Sequence, residues 1–461
     1  MKRCNSHLLA ASSLWLALWP GVVSQRAFAE SRPHYGGTLR VAMKAAPPTL
    51  DPATGSVPAS ILRLIFETLV TLDAHGRPQP LLATSWQSDP GSQRWRFFIR
   101  GGVSFQNGTP LDSAAVAGSL RNGNPGWKVS AASDMVTIET ESAAPDLPAE
   151  LALARNSIVS RDGTGKLSGT GPFAVAQRDS GKHATLIAND QYWVGRAFLV
   201  SIQIDFAKND RDPLLALDLG KADAVEVAPE SIHRVRGENR MVMTSEPEEL
   251  MALVFPQDAR SDDESHARNA LVLSIDTAAI NNVVLQGGGE PSGALLPNWL
   301  SGYAFVFPAG AAAGSVDRAR QERTLAKRFP AWTLGYDASD AVAQVVAQRI
   351  LLTARDAGVA LQLVSSGASD LRLVRIPLPS SDAQTALEEL AKALQLPQPK
   401  PGTGAVSDLY SAEKTLLLSR RVVPLLHLRS AIAMRSTVHD LSVFPDGTWQ
   451  LGNVWLSGEK P

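Results

Sequence analysis

The sequence predicts an α/β or α+β protein of two or three lobes, and three observations carry that prediction. Short segments with apolar residues at every second position alternate with segments at helical spacing along most of the chain, the mixed grammar of layered sheets and helices. No repeat of fixed period runs through it. Hydrophobic residues make up 44% and charged residues 19% of 461 positions, enough for several buried cores.

The elements follow in order. Residues 36–43 read as a strand that the Pro-rich run 47–52 breaks, and apolar spacing predicts a helix over 59–69. A strand over 94–100 ends at Gly101-Gly102, and Asp112 caps a helix reaching residue 120. Between 121 and 168 the pattern is poorer, with a strand at 135–140, a short helix at 147–154 and glycine-punctuated loops. Segments 173–176 and 184–187 pair around the turn Asp179-Ser180-Gly181, and 200–206 is a further strand. A helix over 214–219 stops at Gly220, before a strand at 222–225.

The second half carries helices at 267–274 and 277–285, a Gly-Gly-Gly stop at 287–289, and a Pro, Gly and aromatic loop over 291–308. Strands follow at 332–336, 359–364, 371–376 and 422–427, with helices at 340–357 and 383–394 and a surface loop at 397–404.

The first 29 residues have the layout of a cleaved secretory signal. Lys2 and Arg3 lead an apolar run at 8–23, and Ala27-Phe28-Ala29 supplies the small-x-small cleavage pattern. That run is broken by Pro20 and falls short of the roughly 18 residues of a spanning helix. The single cysteine, Cys4, lies in the charged head, so a lipid anchor at the cleavage point is not expected. A chain without its first 29 residues has no thiol chemistry. Removing Lys2, Arg3 and Arg26 from 44 basic and 45 acidic residues leaves a net charge of −4. An evenly spread, mildly acidic balance argues against a nucleic-acid partner.

Catalytic signatures are absent: no Gly-x-Ser-x-Gly elbow and no His-Glu-x-x-His helix occurs. Gly163-Thr164-Gly165-Lys166 lacks the remainder of a phosphate loop, and Gly169-Thr170-Gly171 leads into strand-like residues where a dinucleotide site needs a helix. Seven histidines beyond residue 29 show no i, i+4 pairing, so no local metal site is visible. The carboxylates at 262–264 and at Glu246, Glu248 and Glu249 sit in polar stretches and read as solvated loop charges. No enzyme activity, cofactor or metal is expected.

Candidate ligand-binding residues are Trp299 and Tyr303 in the aromatic loop, Arg375 inside an apolar strand, and His427 and Arg429 at and after another. Aromatics on a loop supply stacking area at low entropic cost, and equally plug a loop into its own lobe. A cation such as Arg375 is either paired structurally, the preferred reading, or awaits a ligand carboxylate.

An ordered set of motifs resembles the family-5 extracellular solute-binding proteins, the dipeptide, oligopeptide and nickel receptors of ABC importers. It comprises Gly36-Gly37-Thr38-Leu39-Arg40, Thr49-Leu50-Asp51-Pro52, Glu67-Thr68-Leu69-Val70, Pro80 to Trp86, Gly102 to Pro110, Gly169-Thr170-Gly171-Pro172-Phe173, Asn189 to Trp193 and Gly220-Lys221-Ala222-Asp223. Arg268-Asn269-Ala270-Leu271 with Ser274-Ile275-Asp276, Val423-Pro424-Leu425 and Gly447-Thr448-Trp449 complete it.

The resemblance implies a type II periplasmic-binding-protein fold: two lobes joined by a hinge, with a reduced extra subdomain on lobe I. Lobe I would hold 36–58, 165–250 and 430–461, the subdomain 59–164 and lobe II 251–429. It further implies a monomer in the periplasm that takes a peptide or small solute between its lobes and hands it to an inner-membrane ABC permease. A metal or haem-type carrier on the same fold is the alternative, and a periplasmic enzyme a more distant one.

Several stretches are shorter than in the family, at 121–168, 310–335 and 366–400. The segment matching the family's Trp-x-x-Asp-Tyr motif is 375–382, which has neither Trp nor Tyr and places Asp382 differently. With Arg375 nearby, that departure would suit a different or anionic solute.

Overall fold

Thr38–Met43 (β1) buries Leu39, Val41 and Met43 on one face of a sheet and Ala42 on the other, the two-sided burial of a central strand. The structure is a computed structural model that describes residues 32–44, 46–54, 57–206, 211–237, 240–307, 316–327, 331–400 and 405–458. The expected signal segment 1–29 and the tip of the surface loop at 401–404 lie outside these residues. The chain divides by contacts into 1–32, almost all outside the described residues, and 33–461.

Helix α1 (Ala59–Ile65) follows β1 and stops sooner than its apolar spacing predicts, because Phe66 turns to extended backbone. A separate four-stranded antiparallel sheet comes next. It is built from β2 (Ala83–Ser88), β3 (Arg94–Ile99), β4 (Lys128–Ala132) and β5 (Met135–Glu139), in the order β2-β3-β5-β4. Helix α2 (Ser113–Gly123) packs on it, capped as expected by the Asp112 side chain. Short α3 (Leu147–Glu150) closes this region, whose own core includes Phe97, Val116 and Ile138.

The chain then enters the large sheet through the hairpin β6 (Phe173–Asp179) and β7 (His183–Ala188), and continues into β8 (Ser201–Phe206), helix α4 (Arg211–Asp218) and β9 (Ala224–Val227). Next comes β10 (Met241–Val254), fourteen residues long and absent from the sequence prediction. Glu246, Pro247, Glu248 and Glu249 made this stretch read as a loop. The structure corrects that: the three glutamates lie within a strand that pairs along both edges.

Helix α5 (Asp262–Ser274), β11 (Gly289–Pro291), β12 (Trp332–Gly335), helix α6 (Ala341–Asp356), β13 (Leu361–Val364), β14 (Leu371–Pro377), helices α7 (Ala383–Ala393) and α8 (Val406–Leu418) and β15 (Val422–Met434) complete the main elements. The helix expected over 277–285 is α-helical only at 277–279 and widens to a π-turn at 280–284. Strand β15 runs seven residues past its predicted end at His427, so Arg429 lies inside it.

Among the described residues the large sheet has eleven strands, ordered β6-β7-β8-β1-β9-β15-β10-β14-β12-β13 with β11 on β15. Among the described residues, strands β10 and β15 are the link between its two halves. Residues 241–244 of β10 face 431–434 of β15, which pairs with β9 on its other edge, whereas residues 249–254 of β10 pair with both β14 and β15. Pro247 interrupts the ladder, with register shifts on either side, because it brings no N–H to the sheet.

Separate cores flank each half. Met251 and Leu253 point into a core with α5 and α6, and Leu250 and Ala252 into one with α7 and α8. At the other end of β15, Ile432 joins the core under β1 while Ala431 and Ala433 join the α4 side.

Candidate ligand cleft

A cavity of about 930 Å³ opens where the two sheet halves meet. Its walls come from β9 (Glu226), β10 (Glu248, Glu249), β14 (Arg375, Pro377) and β15 (Arg429, Ser430), and from the start of α6 (Asp340, Ala341). A second cavity of about 540 Å³ shares Glu226, Glu248, Pro377 and Ser430 with it, and adds Arg63, Ser380, Ser381, Asp446 and Gly447. The two adjoin along β10 and β15 as one groove, and each is of the size that small-solute sites occupy.

Arg375 is held from two sides. Its Nη2 lies 2.5 Å from a Glu249 oxygen and its Nη1 2.8 Å from Asp340 Oδ2. The other Asp340 oxygen caps α6, accepting from the backbone N–H groups of Val342 and Ala343 at 2.9 and 3.0 Å. Burial works to lower the Arg375 pKa, and the two carboxylates outweigh it and raise it. The guanidinium is thus firmly charged and already matched. The structural pairing preferred from sequence is the one observed, and Arg375 does not present a free cation to an anionic solute.

Arg429, which also lines the cavity, donates to the Ser245 carbonyl at 3.1 Å and forms an ion pair with Glu246 at 3.3 Å, with Glu290 a further 3.9 Å contact. Arg63 reaches Asp446 at 3.4 Å. The Lys44 backbone N–H donates to Glu226 at 2.8 Å.

Glu248 differs from these groups. Among the described residues no lysine, arginine or histidine forms an ion pair with it. Burial of its carboxyl, reinforced by the neighbouring charges of Glu249, Asp446 and Glu226, holds its pKa well above the carboxylate range. Its backbone carbonyl accepts from the Leu378 N–H at 2.7 Å. Gly447, at φ +76°, lies so close that a Cβ there would meet the Glu248 carboxyl carbon at 2.9 Å.

The remaining sequence candidates sit elsewhere. Trp299 donates its indole N–H to the Pro247 carbonyl at 2.7 Å and packs on the α7–α8 side core. Tyr303 is buried, bonded to Glu413 at 2.7 Å, with its ring edge-on to Phe307 and Tyr410. His427 is fully buried, its Nε2 3.0 Å from the Leu295 carbonyl, and burial lowers its pKa to about 4. Tyr303 and His427 are therefore joined through the 295–296 segment, whose N–H groups also donate to Glu413. Neither they nor Trp299 lines the two cavities. Asp382 caps α7 through the Thr385 N–H.

Sequence reasoning missed Glu226, Glu248, Ser430 and Asp446. The signal for them would have been β10 and β15 read as long paired strands, since these place Glu248 and Ser430 at the junction. Among the described residues no group of three or more His, Cys, Asp or Glu is arranged to hold a metal ion, and no helix is long and apolar enough to cross a membrane.

Comparison with known proteins accords with this architecture. The chain is 34% identical over 161 residues to the uncharacterized protein YhjP of Bacillus subtilis, covering 32% of this chain and 28% of that one. It is 22% identical over 272 residues to the nickel-binding protein NikA of Staphylococcus aureus, covering 56% and 55%. It thus spans about half or less of the length of these curated relatives. The structure of the ABC transporter-associated periplasmic binding protein DppA from Helicobacter pylori, solved with a peptide, superposes with a TM-score of 0.78 at 17% identity. That likeness covers 92% of this chain and 99% of DppA, and shows a type II periplasmic-binding-protein fold. The family model of bacterial extracellular solute-binding proteins, family 5, matches residues 77–370 in its middle region, and the chain belongs to that family.

Proposed function

We propose that this chain is the solute-binding component of an ABC importer. It captures a peptide or related small solute in the groove along β10 and β15 and delivers it to an inner-membrane permease, without catalysis. The observation that carries this reading is the groove itself. It is walled by both halves of one sheet, and among the described residues two strands connect those halves.

On this reading lobe I comprises 36–58, 165–250 and 430–461, the subdomain 59–164 and lobe II 251–429. The bulged stretch of β10 at Pro247 and the facing part of β15 act as the hinge, where lost ladder bonds make bending cheap. The protein works as a monomer in the periplasm after removal of residues 1–29, with no lipid anchor. Support comes from family membership and from relatives named for nickel and peptide binding.

The test is native mass spectrometry of protein purified from its own host, followed by small-angle scattering with and without the released solute. A bound small molecule, and a smaller radius of gyration when it is returned, are expected. A chain that carries no solute and keeps one shape in host extract would overturn the reading.

A further inference from the structure

We propose that the groove selects a cationic solute, whose protonated amine or guanidinium docks on Glu248 with Glu226 beside it. The proposal rests on the solute-binding reading and adds the charge class of the ligand.

The charge inventory of the groove leads there. Seven carboxylates and four cationic side chains line the two joined cavities. Arg375 is taken by Glu249 and Asp340, Arg429 by Glu246 and Glu290, and Arg63 by Asp446. An anionic solute at any of these three arginines would therefore have to break an existing ion pair, in a groove of net negative charge. A cation meets Glu248, with which no lysine, arginine or histidine among the described residues forms an ion pair.

Glu248 supplies the docking point. It is one of four residues common to both cavities, so a group placed on it lies at the centre of the groove. Its half-buried carboxyl stands among the like charges of Glu249, Asp446 and Glu226, and among the described residues no lysine, arginine or histidine forms an ion pair with it. Such a placement is costly to the empty protein, and a ligand cation offsets that cost. The surroundings keep the carboxyl in position. Strand β10 fixes its backbone, and the absence of a side chain at Gly447 leaves the room that the carboxyl occupies. The Ser430 hydroxyl lies beside it and also faces both cavities.

The binding energy also carries a proton. Where Glu248 holds a proton in the empty groove, an arriving cation displaces it to solvent, so affinity for the cation rises with pH until that carboxyl is fully ionised.

The experiment uses the full mature protein and the low-molecular-mass fraction of host extract, divided by ion exchange at neutral pH into cation-retained, anion-retained and unretained pools. Each pool is added to unliganded protein, and the melting temperature and bound masses are read. The cation-retained pool is expected to stabilise the protein. Glu248→Gln should bind the solute so identified about tenfold or more weakly, the size of one charge-assisted contact. Stabilisation by the anion-retained or unretained pool instead, or undiminished affinity in Glu248→Gln, overturns the charge assignment and leaves the solute-binding reading standing. If no pool acts, the solute-binding reading itself falls. Should Glu248→Gln fail to fold, Glu226→Gln is measured in its place, and unchanged affinity in that variant overturns the proposal.

Discussion

Glu67 shows how much of this molecule depends on single buried polar groups. Its carboxylate accepts from the Thr170 hydroxyl at 2.7 Å, the Trp193 indole at 2.9 Å and the Tyr192 hydroxyl at 3.0 Å. These partners come from two further motifs of the family pattern, 169–173 and 189–193, which the contact brings together on Glu67. Burial raises the Glu67 pKa against the lowering effect of those bonds. Glu67→Ala strands three donors and is expected to lower the unfolding free energy by about 3 kcal/mol or more, measured by urea titration. Glu67→Gln, which keeps one acceptor, should cost less.

A second residue-scale prediction concerns His427 and Glu413, which hold the 295–296 segment from opposite sides. Burial lowers the His427 pKa to about 4 from an ordinary 6.5, so its contribution is present above 6.5 and lost as pH falls towards 4. Burial raises that of Glu413 to about 7 from 4.5, so its contribution is present below 4.5 and lost as pH rises towards 7. Between 4.5 and 6.5 the two slopes oppose each other. In His427→Gln stability should therefore fall with rising pH relative to wild type, and in Glu413→Gln it should rise. Each difference is at most about 1.4 kcal/mol per pH unit. Parallel pH profiles for all three proteins, by chemical denaturation, would contradict this.

At the scale of elements, the end of α1 meets the 169–173 strand entry too closely for any side chain. A Cβ on Gly169 would lie 1.9 Å from the Ile65 carbonyl oxygen, and one on Gly171 2.6 Å from that of Leu64. The Gln106 amide ties the same chains together, donating to the carbonyls of Ile65 and Phe173 and accepting from the Gly169 N–H. The glycines thus serve close backbone approach rather than phosphate binding. Gly169→Ala is expected to destabilise by about 3 kcal/mol through overpacking, seen as a lower denaturant midpoint, while Gly163→Ala, with open space around it, should be near neutral.

For the whole molecule, the ion pair of Arg155 with Glu389 on α7, at 2.6 and 3.1 Å, spans the proposed subdomain and lobe II. Neither residue lines the groove cavities. On the two-lobe reading this contact belongs to the closed form, and Arg155→Ala should weaken solute affinity about fivefold, the scale of a part-exposed pair near 1 kcal/mol. Calorimetry with the co-purified solute checks it, and unchanged affinity would assign the pair to local structure alone.

The α/β class, the positions of most short strands and helices, the capping aspartate Asp112, and family membership were all legible in the order of residues. Each depends on neighbours in sequence, where period and cap chemistry act. Strand β10 was not legible, because Pro247 and three glutamates outweigh local strand propensity and only pairing with β14 and β15 holds them extended. The groove followed the same rule. Arg375 lies 126 positions from Glu249, so nothing along the chain shows that its charge is already matched. Sequence alone determined what kind of fold this is. Tertiary structure decided which charges remain to face a ligand, since that balance depends on which distant strands become neighbours.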